Sequence, residues 1–170
     1  MSQLPETCPH KIPLKVLPHL SEIISVKDRR IVFAGIGNVL KSDDGVGVYI
    51  SNRIKERGNL KVLTVEVSIE NYIGKINSLE PDILILIDCV DMNSPPGTSR
   101  LMKVEEIRDL TFNTHNISLR RITEFFNAEV FILGIQPGNV DFGEKISYLV
   151  AKEANKIIEL INKEEVSHGS

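Results

Sequence analysis

The chain has 170 residues, of which 42% are hydrophobic and 25% are charged, a length and balance that suit one globular domain. Its formal net charge of -3 at pH 7, from 20 basic and 23 acidic residues, argues against nucleic acid as a partner. No apolar run approaches the ~20 residues of a transmembrane helix, and the polar, proline-bearing start lacks the pattern of a signal peptide, so we expect a cytoplasmic protein without membrane insertion.

The first 28 residues are predicted to be an extension, because four prolines interrupt any long helix before a short amphipathic stretch at 20–24. A single α/β domain is expected at 29–162. The remaining residues, 163–170, are expected to form a disordered tail.

The domain begins with alternating strand and helix patterns. An apolar strand is predicted at 30–36, followed by a helix at 44–57 whose apolar residues recur at near-helical spacing. A second strand is predicted at 61–67, and a short helix at 70–79. Each strand is thus followed by a helix, which is the pattern of a parallel sheet.

The run at 83–87 is continuously apolar, which is typical of a central strand buried on both faces. A turn then precedes a more polar stretch at 99–104, predicted as an antiparallel edge strand. A helix at 117–126, a buried strand at 128–135 and a closing helix at 143–162 complete the chain. The pattern predicts a three-layer α/β sandwich, with about five mostly parallel strands and helices on both faces.

Three polar side chains follow predicted strand ends or precede the last strand: Asp44, Asp88 and His115. Because the carboxyl ends of parallel strands share one edge of a sheet, we expect all three to face a common opening. Two carboxylates and an imidazole suit a borderline divalent metal such as nickel or zinc. Each also has a simpler interpretation: Asp43 and Asp44 as acids favoured by a helix dipole, Asp88 as a solvated strand end, and His115 as a hydrogen-bonded loop histidine.

Other kinds of site find little support in the sequence. Gly35 and Gly37 lack the third glycine of a dinucleotide fingerprint, and the acidic pair that follows would repel a pyrophosphate. No serine or cysteine stands in a recognisable nucleophile motif. A nucleotide-binding role and a covalent mechanism are therefore disfavoured.

The motifs together resemble those of the nickel-iron hydrogenase maturation endopeptidases, over about residues 30–161. The resemblance rests on five elements: Gly35-Ile36-Gly37-Asn38 with Asp43-Asp44-Gly45-Val46-Gly47, Glu70-Asn71, Asp88-Cys89-Val90-Asp91-Met92 with Pro96-Gly97, Thr114-His115-Asn116, and Leu133-Gly134-Ile135-Gln136-Pro137. The last two are most similar to the branch that serves formate-linked, energy-converting or coenzyme-reducing hydrogenases.

This resemblance implies an enzyme that trims the carboxyl terminus of a hydrogenase large-subunit precursor. It implies that Asp44, Asp88 and His115 bind nickel already held by the precursor, so the metal arrives with the substrate and no organic cofactor is needed. The expected partner is the nickel-loaded precursor, and the enzyme is expected to act as a monomer.

With no protein nucleophile in view, water is expected to attack the peptide bond. Either the substrate nickel activates the carbonyl or the water as a Lewis acid, or Asp43 or Asp44 acts as general base. The family is grouped with aspartic-type peptidases, a classification that does not identify the base. The sequence leaves both routes open.

The chain departs from the family pattern at one point. Family members usually have an Asp-Gly-Gly turn after the second strand, where this chain has Glu66-Val67-Ser68, so the role of Glu66 is open.

Two alternative functions remain. A phosphoryl-accepting receiver domain has a similar arrangement of acids, but it needs a lysine before the proline where this chain has Gln136-Pro137. A nickel-dependent chaperone that binds the precursor without cutting it is the second alternative.

Overall fold

The fold comes from a computed structural model that describes residues 16–107, 111–112 and 119–163. Within these residues six strands form the sheet: β1 Ile31–Ile36, β2 Leu60–Glu66, β3 Ile83–Asp91, β4 Ser99–Lys103, β5 Thr111–Phe112 and β6 Glu129–Ile135. The main order is β2-β1-β3-β6-β4, with β5 paired to the end of β3. Strands β2, β1, β3 and β6 are parallel, and β4 runs antiparallel to β6 at the edge. The predicted fold class is confirmed.

Five α-helices accompany the sheet in the described part of the chain: α1 Val16–Ser25, α2 Val46–Ser51, α3 Ile73–Ser78, α4 Leu119–Thr123 and α5 Tyr148–Lys163. Short 3-10 turns lie at Ser42–Gly45, Ile69–Tyr72 and Val104–Glu106. We call the first of these the acidic turn, because it contains Asp43 and Asp44.

Alternate residues of the central strands supply two apolar clusters, one on each face of the sheet. Helices α1, α2 and α5 pack on the face that contains Phe33 and Ile85. Residues of α3 and α4 pack on the face that contains Ala34 and Leu84. Strand β3 is buried along its length up to Asp91, as its continuous apolar run predicts.

Helix α1 falls within the predicted extension at 1–28, and it packs against the domain. Its buried residues Val16, Leu20 and Ile24 recur every four positions and join the same cluster as α5. The remainder of the extension, residues 1–15, lies outside the described residues, as does the predicted tail beyond 163.

Each of the four helices predicted for the domain is shorter within the described residues, and two of the differences bear on the site. The helix expected at 44–57 is replaced by the acidic turn and α2, which ends at Ser51. Ile54 remains buried without being helical, so its apolar character reflected burial and not helix periodicity. The closing helix, expected from 143, begins at Tyr148, because residues 138–147 are held by hydrogen bonds to the acidic turn.

No helix in the described ranges combines the length and the apolar character that crossing a membrane would require.

Candidate functional site at the carboxyl edge of the sheet

The acidic turn and the start of α2 lie against the carboxyl ends of β1 and β3, because two glycines permit a very close approach. A Cβ on Gly47 would lie 2.2 Å from the carbonyl oxygens of both Ile36 and Ile87. A Cβ on Gly37, where φ is +148°, would lie 2.0 Å from the carbonyl oxygen of Asp44. Only glycine fits at these positions. The acidic turn is therefore fixed on the sheet edge where parallel α/β proteins form their sites.

Asp44 is fully buried, with 0% of its surface exposed, and it is incompletely hydrogen-bonded. Its Oδ2 accepts a hydrogen bond from the backbone N–H of Asn38 at 3.2 Å. Among the described residues no donor reaches its Oδ1. Burial raises the pKa of Asp44 above its usual value, although the Asn38 N–H and the charge of Lys41 act in the opposite direction. An unpaired buried carboxylate oxygen of this kind is a costly feature unless a cation or donor completes it.

Asp43 is equally buried, at 0% exposed, but its hydrogen bonds are complete. Its Oδ2 accepts from the backbone N–H groups of Gly138 at 2.8 Å and Asn139 at 2.9 Å, and from the Ser147 hydroxyl at 2.8 Å. Its Oδ1 accepts from the backbone N–H of Ser147 at 2.6 Å. This carboxylate therefore joins the acidic turn to residues 138–147, which we call the pinned loop.

Asp88 lies on β3, one residue beyond Ile87, which pairs with Gly35 of β1. It is also 0% exposed, and its Oδ1 accepts a hydrogen bond from the backbone N–H of Cys89 at 2.8 Å. Asp44 and Asp88 are thus brought to one edge of the sheet, as predicted. We expected an open cleft at this edge, but in the structure both carboxylates are enclosed.

His115, the third predicted metal ligand, lies outside the described residues. Within the residues that are described, no group of three or more histidine, cysteine, aspartate or glutamate side chains is placed to hold a metal ion. The metal-binding role of His115, and a nickel site formed by His115 together with Asp44 and Asp88, therefore stay predictions.

Glu66 ends β2 in the left-handed region, with φ of +59°, and its side chain is exposed. The register between β1 and β2 shifts here, so that Ile36 pairs with Glu66 and Val65 is the extra residue of a bulge. The Glu66 carbonyl oxygen accepts a hydrogen bond from Gly37 N–H at 3.0 Å. Its backbone, and not its carboxylate, contacts the site region.

In the sequence Gln136 stands out only as part of a family motif and has no assigned role, whereas in the structure it organises the loop after β3. Its buried side chain accepts a hydrogen bond from Met92 N–H at 2.6 Å and donates one to Asp91 at 3.2 Å. Its backbone N–H and carbonyl also bond to Thr98 and Gly97. Ser147 was also missed. It was expected inside the closing helix at 143–162, so nothing indicated that it precedes a helix or has a partner in the acidic turn.

Large apolar side chains are exposed around this edge, on the loop after β1 and on or beside the pinned loop: Val39, Leu40, Val140, Phe142, Tyr148 and Leu149. Phe142 is 86% exposed. The two loops are joined by a backbone bond from Gly143 N–H to the Leu40 carbonyl at 2.8 Å. A cavity of about 470 Å³ beside the acidic turn is lined by Ser42, Gly45 and Ile146 among others.

Comparison of the sequence with known proteins identifies one family. The family described as hydrogenase maturation protease matches residues 45–164. A candidate hydrogenase maturation protease of Methanocaldococcus jannaschii is 31% identical over 152 residues, covering 79% of this chain and 90% of the relative. The hydrogenase 3 maturation protease of Escherichia coli K12 is 32% identical over 113 residues, covering 63% of this chain and 72% of the relative.

Solved structures agree with this. The crystal structure of the NiFe hydrogenase maturation protease HycI from Thermococcus kodakarensis superposes with a TM-score of 0.76 at 27% identity, covering 86% of this chain and 97% of the other. A crystal structure of the hydrogenase 3 maturation protease superposes with a TM-score of 0.67 at 27% identity, covering 79% of this chain and 90% of the other.

Proposed function

Because this chain belongs to the family of hydrogenase maturation proteases, we propose that it removes the carboxyl-terminal peptide from a nickel-iron hydrogenase large-subunit precursor. In this proposal the enzyme recognises nickel that the precursor already holds. The observation that carries it is the Oδ1 of Asp44, which is buried at the carboxyl edge of the sheet and which no donor among the described residues reaches. Asp88, at the same edge, supports it.

The residues present fit a divalent cation. A buried carboxylate oxygen without a donor is completed by a positive charge, and a second carboxylate at the same edge adds to the negative field. Asp44, Asp88 and His115 are the side chains that would hold nickel, as the family resemblance implies. Nickel bound there would supply Lewis-acid activation.

Hydrolysis also requires a water molecule and a group that accepts its proton. Of the two adjacent aspartates, Asp44 has a carboxylate oxygen that no donor in the described part of the chain reaches, and its raised pKa makes it a better proton acceptor than an ordinary surface aspartate. In the route that uses a carboxylate as the general base, we therefore assign that role to Asp44. An aspartic-type classification would fit this route, and it would not fit one that depends on Lewis-acid activation alone.

We retain two further expectations as part of the proposal. The first is that the enzyme acts in the cytoplasm, where a precursor that still awaits processing would be met. A monomeric enzyme is the simplest arrangement in which one acidic turn serves one precursor.

The decisive experiment incubates the purified full chain with a hydrogenase large-subunit precursor, either nickel-loaded or nickel-free, and measures the precursor mass. We expect one shortened product with the loaded precursor and none with the nickel-free precursor. Binding is measured in the same samples by size-exclusion chromatography. Nickel-dependent binding without any shortening would favour the chaperone, and shortening without nickel would overturn the nickel-recognition step.

The receiver-like alternative is tested separately. Incubation with a small phosphodonor and magnesium would label Asp88 if the chain were a phosphoryl acceptor. We expect no added phosphate by intact mass, and labelling of Asp88 would contradict the protease assignment.

A further inference from the structure

The hydrogen bonds of Asp43 decide which of the two adjacent aspartates is available for chemistry. An ionised carboxylate offers about four acceptor positions. Asp43 receives four donors, three on Oδ2 and one on Oδ1, and its side chain is 0% exposed. A general base needs a lone pair within reach of the water that it deprotonates. Oδ2 has no lone pair left, and Oδ1 already accepts from Ser147 N–H at 2.6 Å, so a water would have to compete with the loop donors at this carboxylate.

The four donors come from the two ends of the pinned loop. Gly138 and Asn139 follow β6, whereas Ser147 immediately precedes α5. One carboxylate thus fixes both ends of a ten-residue segment onto the acidic turn. Its negative charge also lies at the amino end of the 16-residue helix α5, where the helix dipole stabilises it.

Backbone bonds reinforce the same contact. Asp43 N–H donates to the Asn139 carbonyl at 2.9 Å, and Ser42 N–H donates to the Gly143 carbonyl at 2.6 Å. The Ser42 hydroxyl donates to the Asp141 carbonyl at 2.9 Å. The position of the acidic turn, and hence of Asp44, is therefore set from the pinned loop as well as from the sheet.

We propose that Asp43 is a positioning residue that fixes the turn carrying Asp44, and that it is not the general base. This inference rests on the proposed function. Its physical basis is that displacing a reacting group by about 1 Å can reduce a rate by about a hundredfold. It removes Asp43 from the two candidate bases that the sequence left open.

The test is a double-mutant cycle between Asp43→Asn and Ser147→Ala, measured as kcat per folded molecule with saturating nickel-loaded precursor. The asparagine keeps the size of the side chain but turns an amide donor toward the Ser147 donors. Ser147→Ala removes one donor and leaves the Asp43 carboxylate intact. We expect a kcat about ten- to a hundredfold lower for Asp43→Asn and about threefold lower for Ser147→Ala. Because both act through one contact, the double variant should be no slower than Asp43→Asn alone.

Two matched controls break similar bonds elsewhere. Ser99→Ala removes a hydroxyl that donates to Glu153 of α5 at 2.6 Å, and Asp82→Asn alters a carboxylate that accepts from Arg30 N–H at 2.7 Å, at the opposite edge of the sheet. Both are expected to retain the wild-type kcat. If Asp43→Asn does not fold, the kcat of Ser147→Ala is compared with that of Ser99→Ala. Both variants remove a serine hydroxyl that donates to a carboxylate, and only Ser147→Ala should be slower.

Two kinetic outcomes would overturn the proposal. If Asp43 were the general base, Asp43→Asn would show no turnover, whereas Ser147→Ala would keep the full wild-type rate. In Ser147→Ala the Asp43 carboxylate is intact and has lost one competing donor. A purely structural Asp43 gives the wild-type kcat in every variant once the folded fraction is corrected.

Hydrogen exchange provides a readout that needs neither nickel nor precursor. The amide of Asp44, bonded to the Lys41 carbonyl at 3.1 Å, should exchange faster in Asp43→Asn and at the wild-type rate in Ser99→Ala. Unchanged exchange at Asp44 would refute the positioning role. If the wild-type chain cleaves no precursor, the proposed function fails, while the exchange result still decides the role of Asp43.

Discussion

The carboxylates of Asp43 and Asp44 are neighbours in the chain and have opposite hydrogen-bonding environments. Within the described ranges, Asp43 accepts four hydrogen bonds from the pinned loop, whereas the side chain of Asp44 accepts one, from Asn38 N–H. They belong to one 3-10 turn, in which successive side chains point about 120° apart. One side chain therefore faces the pinned loop, while the other faces the loop that follows β1.

This contrast predicts opposite effects on stability. Asp43→Asn should lower the free energy of unfolding by about 2–4 kcal/mol, because charge-assisted bonds are lost and buried donors are left opposed by an amide. Asp44→Asn should leave the stability at pH 7 equal to or above that of the wild type, because it removes a poorly compensated buried charge. Urea unfolding followed by circular dichroism measures both.

The two substitutions control for each other, since they make the same chemical change at adjacent buried positions. A larger loss of stability for Asp44→Asn than for Asp43→Asn would contradict the assignment of the two environments.

The raised pKa of Asp44 predicts a particular dependence of stability on pH. Below its usual value of 3.8 the group is protonated in both the folded and the unfolded states and contributes nothing. Between 3.8 and the higher folded pKa, the folded state holds a proton that the unfolded state has lost, so stability falls as pH rises. Above the folded pKa the penalty is complete and constant.

Unfolding free energies of the wild type and Asp44→Asn should therefore diverge as pH rises from the acid range, and then stay a constant distance apart. The comparison cancels the other titrating groups, which both proteins share. A difference that is flat with pH, or one that shrinks as pH rises, is incompatible with a raised pKa.

Cleavage should depend on Asp44 and His115 without a loss of fold. Asp44→Asn and His115→Ala are expected to give no shortened precursor by mass spectrometry, while their circular dichroism stays that of the wild type. Asp91→Ala should be milder, because this carboxylate is exposed and its bonds to Asn93 and Gln136 only order the adjacent loop. Unchanged trimming by Asp44→Asn would remove Asp44 from the site.

Much of the fold was predictable because its signals are local. The apolar run of β3 and the strand-helix alternation predicted a mostly parallel sheet with an antiparallel edge strand, and both are observed. The end of β3 was not predictable. It extends to Asp91 because Val90 and Asp91 pair with β5, a contact between segments that no local pattern contains.

The site was predictable only in part. Asp44 and Asp88 were found because the carboxyl ends of parallel strands meet at one edge. Their burial was not foreseen, because it depends on packing around the edge. The contact between Asp43 and Ser147 was missed, since the two residues are 104 positions apart and Ser147 was expected inside the closing helix at 143–162.

The side chain of Gln136 should stabilise the loop after β3 through both of its polar ends. Gln136→Ala leaves the Met92 N–H without its acceptor and should cost about 1–3 kcal/mol. Gln136→Glu keeps an acceptor there but opposes the Asp91 carboxylate with a second negative charge. Its destabilisation at pH 7 should diminish as the pH approaches about 4, where carboxyl groups begin to protonate.

Thermal unfolding at several pH values distinguishes the two variants of Gln136. The loss caused by Gln136→Ala should vary little with pH, so this variant is the control for the charge effect. Equal losses for Gln136→Glu at both ends of the pH range would mean that its side chain does not face Asp91.

The close contact of the start of α2 with the sheet edge should make Gly47 intolerant of any side chain. The Cβ of Gly47→Ala would lie 2.2 Å from two backbone carbonyl oxygens, which have no flexible end that could move aside. We expect a loss of at least about 3 kcal/mol, or no soluble protein. Gly74→Ala is the matched control, because no atom lies within 4 Å of its added Cβ and the residue belongs to α3. It should stabilise the protein by about 0.5–1 kcal/mol, as alanine favours a helix over glycine. Urea unfolding of both variants checks the pair, and a stable, fully folded Gly47→Ala would mean that the start of α2 stands farther from the ends of β1 and β3.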